Sequence, residues 1–151
     1  PFEMKSKTSS CPDSTPNRKQ VDRVARLADG WMTVGATPEQ FSITWQQILS
    51  AAIEHGRESA RLENAMYFNV NINDDPGEAY NESKRFLDEY YSSDWPEWKV
   101  TVWTAYGTPA ECAERMRAFD TAGVQTMIIR FPSYDQKEQL ARFLSEVMPL
   151  V

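Results

Sequence analysis

Residues 107–131 read GTPAECAERMRAFDTAGVQTMIIRF, and this stretch decides the fold class. It predicts the end of a strand at Gly107, a helix opened by Thr108-Pro109, a stop at Gly123 and a buried apolar strand. Threonine is a favoured N-cap, and proline suits the first helical position because its missing N–H would be unpaired there anyway. Glu111 stands three residues after Thr108 and completes a capping box.

A second copy of this phrase occurs earlier in the chain. The run 29–34, DGWMTV, precedes Thr37-Pro38-Glu39-Gln40, and Gln40 takes the place that Glu111 has in the other copy. Strands that alternate with helices in this way are typical of a mainly parallel sheet covered by helices. The two copies therefore predict an α/β fold.

Hydrophobic periodicity and turn residues place the remaining elements. We expect an irregular N-terminal arm over residues 1–14 and a single α/β domain over residues 15–151. Helices are predicted over 17–28, 38–55, 76–91, 109–121 and 136–148, and strands over 31–34, 66–73, 98–105 and 125–131.

Composition excludes several classes of function. The chain has 151 residues and a formal net charge of −6, without the basic stripe that nucleic-acid binding needs. Cys11 and Cys112 have no metal-binding or disulfide spacing, and His55 is the only histidine. A histidine-based catalytic triad and a histidine-ligated metal are therefore not expected. No apolar run approaches the length of a membrane span and no signal peptide is visible, so we expect a cytoplasmic protein with no membrane partner.

The strand predicted over 66–73 alternates strictly between two kinds of side chain. Phe68, Val70 and Ile72 face one way, whereas the opposite face carries Asn69 and Asn71. An asparagine-lined face must meet water, a polar barrel interior or a ligand, because unpaired amides are costly to bury.

Four phrases in order resemble the bacterial-luciferase-like monooxygenases. They are VARLADGWM at 24–32, TPE at 37–39, NVNINDDP at 69–76 and the stretch 107–131, and the likeness covers residues 15–149. The resemblance implies a flavin- or F420-dependent oxidoreductase on a (β/α)8 barrel, with FMN or F420 as cofactor. Only the C-terminal half of such a barrel is present, because a complete one needs at least about 200 residues. The expected fold is thus a half-barrel with helices packed on one face of a mainly parallel sheet.

The chain begins at Pro1 without a methionine, and we expect it to be a piece of a longer protein. In the resembled family, the missing half supplies several residues near the flavin ring. The alternative function is therefore a cofactor-free half-barrel that serves as a structural or assembly module. Open sheet edges predict a homo-oligomer, or a partner that supplies the missing half-barrel.

The predicted start of the first helix is the candidate cofactor site, formed by Thr15, Asn17, Arg18 and Lys19. Two cations in a first turn oppose the helix dipole, which prefers acidic groups there. Free amides together with Arg18 and Lys19 would suit a phosphate, and the resemblance places the cofactor phosphate near this helix start. The alternative is an exposed Arg18 that pairs with Asp22.

The candidate substrate pocket is formed by the residues Trp31, Asn69, Asn71 and Arg130. We expect it to bind a small-molecule substrate. Trp31 would line an aromatic pocket or fill the core. Arg130 lies inside an apolar strand near its C-terminal end, where barrel active sites form, and needs an acidic partner or an anionic ligand. His55, at a helix C-terminus, is expected to be structural, and no catalytic residue is assigned.

Overall fold

A computed structural model describes residues 17–151, so Thr15 and the arm over residues 1–14 lie outside the described range. Within that range no helix is long and apolar enough to cross a membrane. The helices are α1 Arg18–Leu27, α2 Pro38–Glu54, α3 Pro76–Tyr91, α4 Glu97–Trp103, α5 Pro109–Thr121 and α6 Gln136–Arg142. The strands are β1 Gly30–Val34, β2 Glu63–Ile72, β3 Thr104–Gly107 and β4 Thr126–Arg130. A 3-10 turn covers Ser59–Arg61. After α6, the predicted helix over 136–148 continues as a π turn, Phe143–Val147, and a 3-10 turn, Met148–Leu150.

Both predicted capping boxes are confirmed. At the start of α2, Thr37 Oγ1 accepts from the Gln40 N–H at 3.2 Å, and Gln40 Oε1 accepts from the Thr37 N–H at 3.0 Å. At the start of α5, Glu111 Oε2 accepts from the Thr108 N–H at 2.8 Å. These reciprocal bonds satisfy amides that have no partner inside the helix, which explains why both helices begin where the sequence predicts.

The central strand of the sheet is β2, which pairs in parallel with all three other strands. It aligns residues 63–67 with β1, 65–69 with β4 and 69–72 with β3. Because β1 and β4 pair with the same stretch of β2, they lie on opposite edges of it. Asn69 pairs with both Thr104 and Arg130, so β3 lies opposite β4 and follows β1 along one edge. The α/β class with parallel strands is thus confirmed, and the sheet is open.

The two faces of β2 have different neighbours. Met66, Phe68 and Val70 are fully buried in the main core, which α1, α2, α5 and the C-terminal π turn cover. Phe68 meets Phe119 of α5 edge to face at a centroid distance of 4.9 Å. The other face carries Asn69 and Asn71, and we call it the polar face. Helix α3 lies against this face at the C-terminal end of the strand.

The predicted strand over 98–105 is wrong, because residues 97–103 form helix α4 and the strand begins only at Thr104. Val100 packs with Leu87 and Trp95 in a second cluster, separate from the main core. Lys99 Nζ lies 3.7 Å from the Trp95 ring centroid, which places the Lys99 stem against the cluster. These tertiary contacts override the strand preference of a short alternating run, in which periodicity does not separate helix from strand.

Candidate functional site

Helix α1 begins with a cationic turn that makes no ion pair within the described range. Its N-cap is Asn17, and Asn17 Oδ1 accepts from the Lys19 N–H at 3.0 Å. Arg18 and Lys19 are exposed. The first turn contains no acidic residue, so no carboxylate within that turn offsets the positive end of the helix dipole or the charges of the two cations. This turn could hold an anion.

The alternative pairing of Arg18 with Asp22 is not formed. Asp22 Oδ1 instead lies 2.8 Å from His55 Nε2, and Asp22 Oδ2 lies 3.5 Å from Arg26 Nη1. The hydrogen bond from His55, supported by Arg26, lowers the pKa of Asp22 below its usual range. His55 is the C-cap residue of α2 and holds α2 to α1, which agrees with its predicted structural role.

A cavity of about 280 Å³ lies beside the start of α1. Asn17 and Gln20 line it on one side, and Gly35 and Ala36, which directly follow β1, line it on another. Because the carboxyl ends of parallel strands are where α/β folds bind ligands, this cavity has the position of a ligand site.

Trp31 lines the same cavity and belongs to the main core, so the structure does not bring it together with the asparagines. Its ring lies 5.0 Å from Phe41 and stacks with Trp45 at a centroid distance of 6.4 Å. It pairs with Asn64 of β2, whereas Asn69 and Asn71 point to the polar face.

Arg130 lies on the polar face beside Asn69, as the strand register requires. Its Nε donates to Asn69 Oδ1 at 3.0 Å, and no carboxylate within the described range pairs with it. Four ring centroids surround the guanidinium carbon at 4.9 to 5.9 Å; they belong to Tyr67, Phe86, Tyr90 and Tyr91. Of the two predicted alternatives, the acidic partner is thus not found among the described residues, where an amide and aromatic faces surround the charge instead, and the anionic ligand stays a prediction.

Unpaired polar atoms concentrate on the polar face. Six buried side-chain nitrogen or oxygen atoms of the described residues lack a hydrogen-bond partner, and four of them belong to Asn69, Asn71, Thr104 and Arg130. Asn69 pairs with Arg130 on one side and Thr104 on the other, so three of these residues form one row across the sheet. Buried polar groups are usually paired, and such a cluster is therefore a signal of a binding site.

Glu82 of α3 was not predicted from the sequence and lies at the centre of this region. Its Oε2 accepts from Asn71 Nδ2 at 2.9 Å, and its Oε1 accepts from Ser133 Oγ at 2.9 Å and the Tyr134 N–H at 3.2 Å. The sequence could have indicated Glu82 only through its spacing of four residues from Phe86, which places both side chains on one face of α3.

Cys112 is not a candidate nucleophile. It is fully buried, and this burial raises the pKa of its thiol to about 12. Reactive cysteines need a stabilised thiolate, and nothing here provides one.

The fold and this arrangement define a class, the parallel α/β proteins, and here the strand ends lie beside a helix start with two cations and beside a polar face. Residues 15–126, more than half of the chain, match the family of luciferase-like monooxygenases. The chain belongs to this family, as the sequence predicts. No curated protein matches the chain.

Solved structures of similar fold include enzymes whose descriptions name F420 or FMN. An F420-dependent secondary alcohol dehydrogenase in complex with an F420-acetone adduct has a TM-score of 0.73 at 20% identity, over 88% of this chain and 46% of that one. Riboflavin lyase with modified FMN and riboflavin has a TM-score of 0.63 at 12% identity, over 89% and 40%. A long-chain alkane monooxygenase has a TM-score of 0.61 at 16% identity, over 88% and 38%. The chain thus spans less than half of each structure, and the prediction of a partial luciferase-like barrel is confirmed.

Proposed function

We propose that this chain is the C-terminal, cofactor-binding part of a luciferase-like oxidoreductase or monooxygenase that uses FMN or F420. The observation that carries the proposal is the start of α1, where Asn17 lines a cavity at the end of β1 and is followed by two exposed cations that form no ion pair with any described residue. The family supports a flavin-type cofactor, and two of the similar structures are described with F420 and FMN.

The described residues fit the phosphate of such a cofactor. Asn17 already accepts from the Lys19 and Gln20 N–H groups, so the donors that this turn offers a phosphate are the charged side chains of Arg18 and Lys19, supported by the helix dipole. In this proposal Asn17, Arg18 and Lys19, with Thr15 before them, hold the phosphate, and Trp31 lines the adjoining cavity. The cofactor supplies redox chemistry, and the protein binds and orients it. Asn69, Asn71 and Arg130 then form the side that receives the substrate.

The test is to titrate FMN and F420 into the parent and into the double variant Arg18→Glu/Lys19→Glu. Each charge-assisted bond contributes about 1.5–3 kcal/mol, so losing two should weaken binding by about 100-fold or more. The melting temperature should stay equal or rise, because acidic groups suit a helix start better than cations do.

The matched control is Arg23→Glu/Lys137→Glu, which changes the net charge equally at exposed positions away from the start of α1. It should bind the cofactor like the parent. Equal weakening of cofactor binding in both double variants would show that the net charge of the protein, and not a site at the start of α1, controls binding. A parent that binds neither cofactor at millimolar concentration would refute the proposal.

A second candidate function, an assembly module, is favoured by exposed apolar side chains on the face of the sheet opposite the main core. Met32 is 59% exposed, Val34 40% and Ile128 39%, and the strand register puts all three on the face that carries Tyr67. The edges beyond β1 and β4 are also open to pairing. A homo-oligomer, or a partner that supplies the other half of the barrel, would cover this surface.

Sedimentation of the parent and of Met32→Glu/Ile128→Lys tests this candidate. We expect the parent to associate and the variant to dissociate, whereas Leu27→Glu, at a 74% exposed position on α1, should leave the association unchanged. A parent that sediments as a monomer up to high concentration would refute self-association.

A further inference from the structure

Glu82 occupies a site that is built for a carboxylate. Its two oxygens accept three hydrogen bonds, from Asn71 Nδ2, Ser133 Oγ and the Tyr134 N–H, at 2.9 to 3.2 Å. Asn71 and Ser133 are almost fully buried. No cation of the described range pairs with Glu82, so its charge is held by neutral donors alone.

The location of these donors is that of a ligand site. Asn71 is the second-last residue of β2, and Ser133 and Tyr134 follow the end of β4, so the donors come from the carboxyl ends of two neighbouring parallel strands. Ligands of open α/β sheets bind outside these ends. Glu82 comes from α3, a helix that lies across the polar face.

Glu82 leaves part of the polar face unsatisfied. Asn71 Oδ1, Asn69 Nδ2 and Arg130 Nη2 are buried without partners among the described residues, although Asn71 Nδ2 also donates to the Pro132 carbonyl oxygen. Arg130 lies next to Phe86, one turn after Glu82 on α3, at 5.9 Å from the ring centroid. A molecule that carried a carboxylate and a further polar group would satisfy these atoms, which a single glutamate side chain does not.

We propose that Asn71, Ser133 and the Tyr134 N–H form the carboxylate-binding site for the substrate, that the charge of Arg130 on the same face attracts the carboxylate without an ion pair, and that Glu82 fills the site until a carboxylate ligand displaces it. The substrate class is therefore a carboxylic acid, and this assignment of the ligand as substrate rests on the proposed function. A planar carboxylate fits because each oxygen of Glu82 already has its donors in place.

The test uses acetate as the probe and the variant Glu82→Ala, with no cofactor present, so that its result is independent of cofactor binding. Acetate should raise the melting temperature of Glu82→Ala saturably, with an affinity at least about tenfold above that for the parent, in which Glu82 competes. Sodium chloride at equal ionic strength corrects for screening. If Glu82→Ala does not fold, Glu82→Gln is titrated instead, because it keeps the shape and loses the charge.

The matched control is Glu89→Ala, which removes another carboxylate of α3. Glu89 also accepts a hydrogen bond from Tyr134, but from its side-chain hydroxyl, at 2.6 Å. It should respond to acetate like the parent. Adding Arg130→Met to Glu82→Ala should weaken acetate binding by about two- to fivefold at low ionic strength, because it removes a nearby positive charge that attracts the anion without an ion pair, whereas adding Arg85→Met should not.

Three outcomes would overturn the proposal. Equal acetate affinity of the parent, Glu82→Ala and Glu89→Ala would show that Glu82 blocks no site. An unchanged affinity after Arg130→Met would exclude Arg130. Binding of inorganic phosphate without binding of acetate would show an anion site of a different kind.

Discussion

Replacing Gly35 with alanine tests how the end of β1 is packed against the rest of the molecule. Gly35 has φ +62°, a left-handed conformation, and a Cβ built there would overlap the indole nitrogen of Trp103. The left-handed conformation costs alanine about 1–2 kcal/mol, and the forced shift of a packed side chain costs about 1–3 kcal/mol. Gly35→Ala should therefore lower the free energy of unfolding by about 2–5 kcal/mol.

Gly56→Ala separates these two contributions. Gly56 has φ +72° but no atom within 4 Å of a Cβ built there, so this substitution should cost only the backbone strain, about 1–2 kcal/mol. Both variants are measured by urea unfolding, with the slope against denaturant checked for constancy.

Trp103→Phe should reduce the difference in stability cost between Gly35→Ala and Gly56→Ala, because the phenylalanine ring lacks the indole nitrogen that the new methyl group would overlap. Trp103 packs edge to face on Trp95 at a centroid distance of 5.0 Å, so Trp103→Phe has a cost of its own. In that background, however, Gly35→Ala should cost about as much as Gly56→Ala, a coupling of about 1–3 kcal/mol. If Gly35→Ala costs no more than Gly56→Ala in the parent, the close packing of β1 against α4 is refuted.

Three further predictions concern a helix cap, an unpaired hydroxyl and the buried thiol. Thr108→Val should lower the free energy of unfolding by about 1 kcal/mol, as urea unfolding can show. Hydrogen bonds from the Thr108 hydroxyl and N–H lower the pKa of Glu111 below its usual 4.5, so ionised Glu111 stabilises the parent above pH 4.5 and this stabilisation is lost as the pH falls below that value. The variant should therefore lose less stability in acid than the parent does. Thr104→Val should leave stability unchanged or raise it by up to about 1–3 kcal/mol, because it removes a buried hydroxyl without a partner; a clear loss of stability would show that the hydroxyl serves the fold. Cys112 should resist a thiol reagent until the chain is unfolded, as peptide mass spectrometry can show, and rapid labelling in the native state would contradict its burial.

The parts of the fold that the sequence predicts correctly depend on local interactions. Helices α2 and α5 begin at Thr37 and Thr108 because each capping box is complete within four residues. Helix α4 is the opposite case. Its residues alternate like a strand, and what makes them helical is packing on Leu87 and Trp95, which no local pattern contains.

The candidate site shows the same division. The alternation of Asn69 and Asn71 with apolar residues predicts a polar face, and the structure confirms that both point away from the main core. What the sequence does not predict is what covers that face, since Glu82 reads as an ordinary polar position on a helix. Arg130 was predicted to need an acidic partner or an anionic ligand, and the aromatic rings that surround it depend on how α3 crosses the sheet.

The two candidate sites lie at the same end of the sheet but on opposite faces, and this geometry constrains any ligand that uses both. The cavity beside α1 lies on the face of the main core, whereas Arg130 lies on the polar face. Gly35 lies at the end of the sheet after Val34, where it lines this cavity and contacts Trp103. Gly35→Ala should therefore weaken the binding of a ligand held in the cavity more than Gly56→Ala does, at temperatures where both variants are folded.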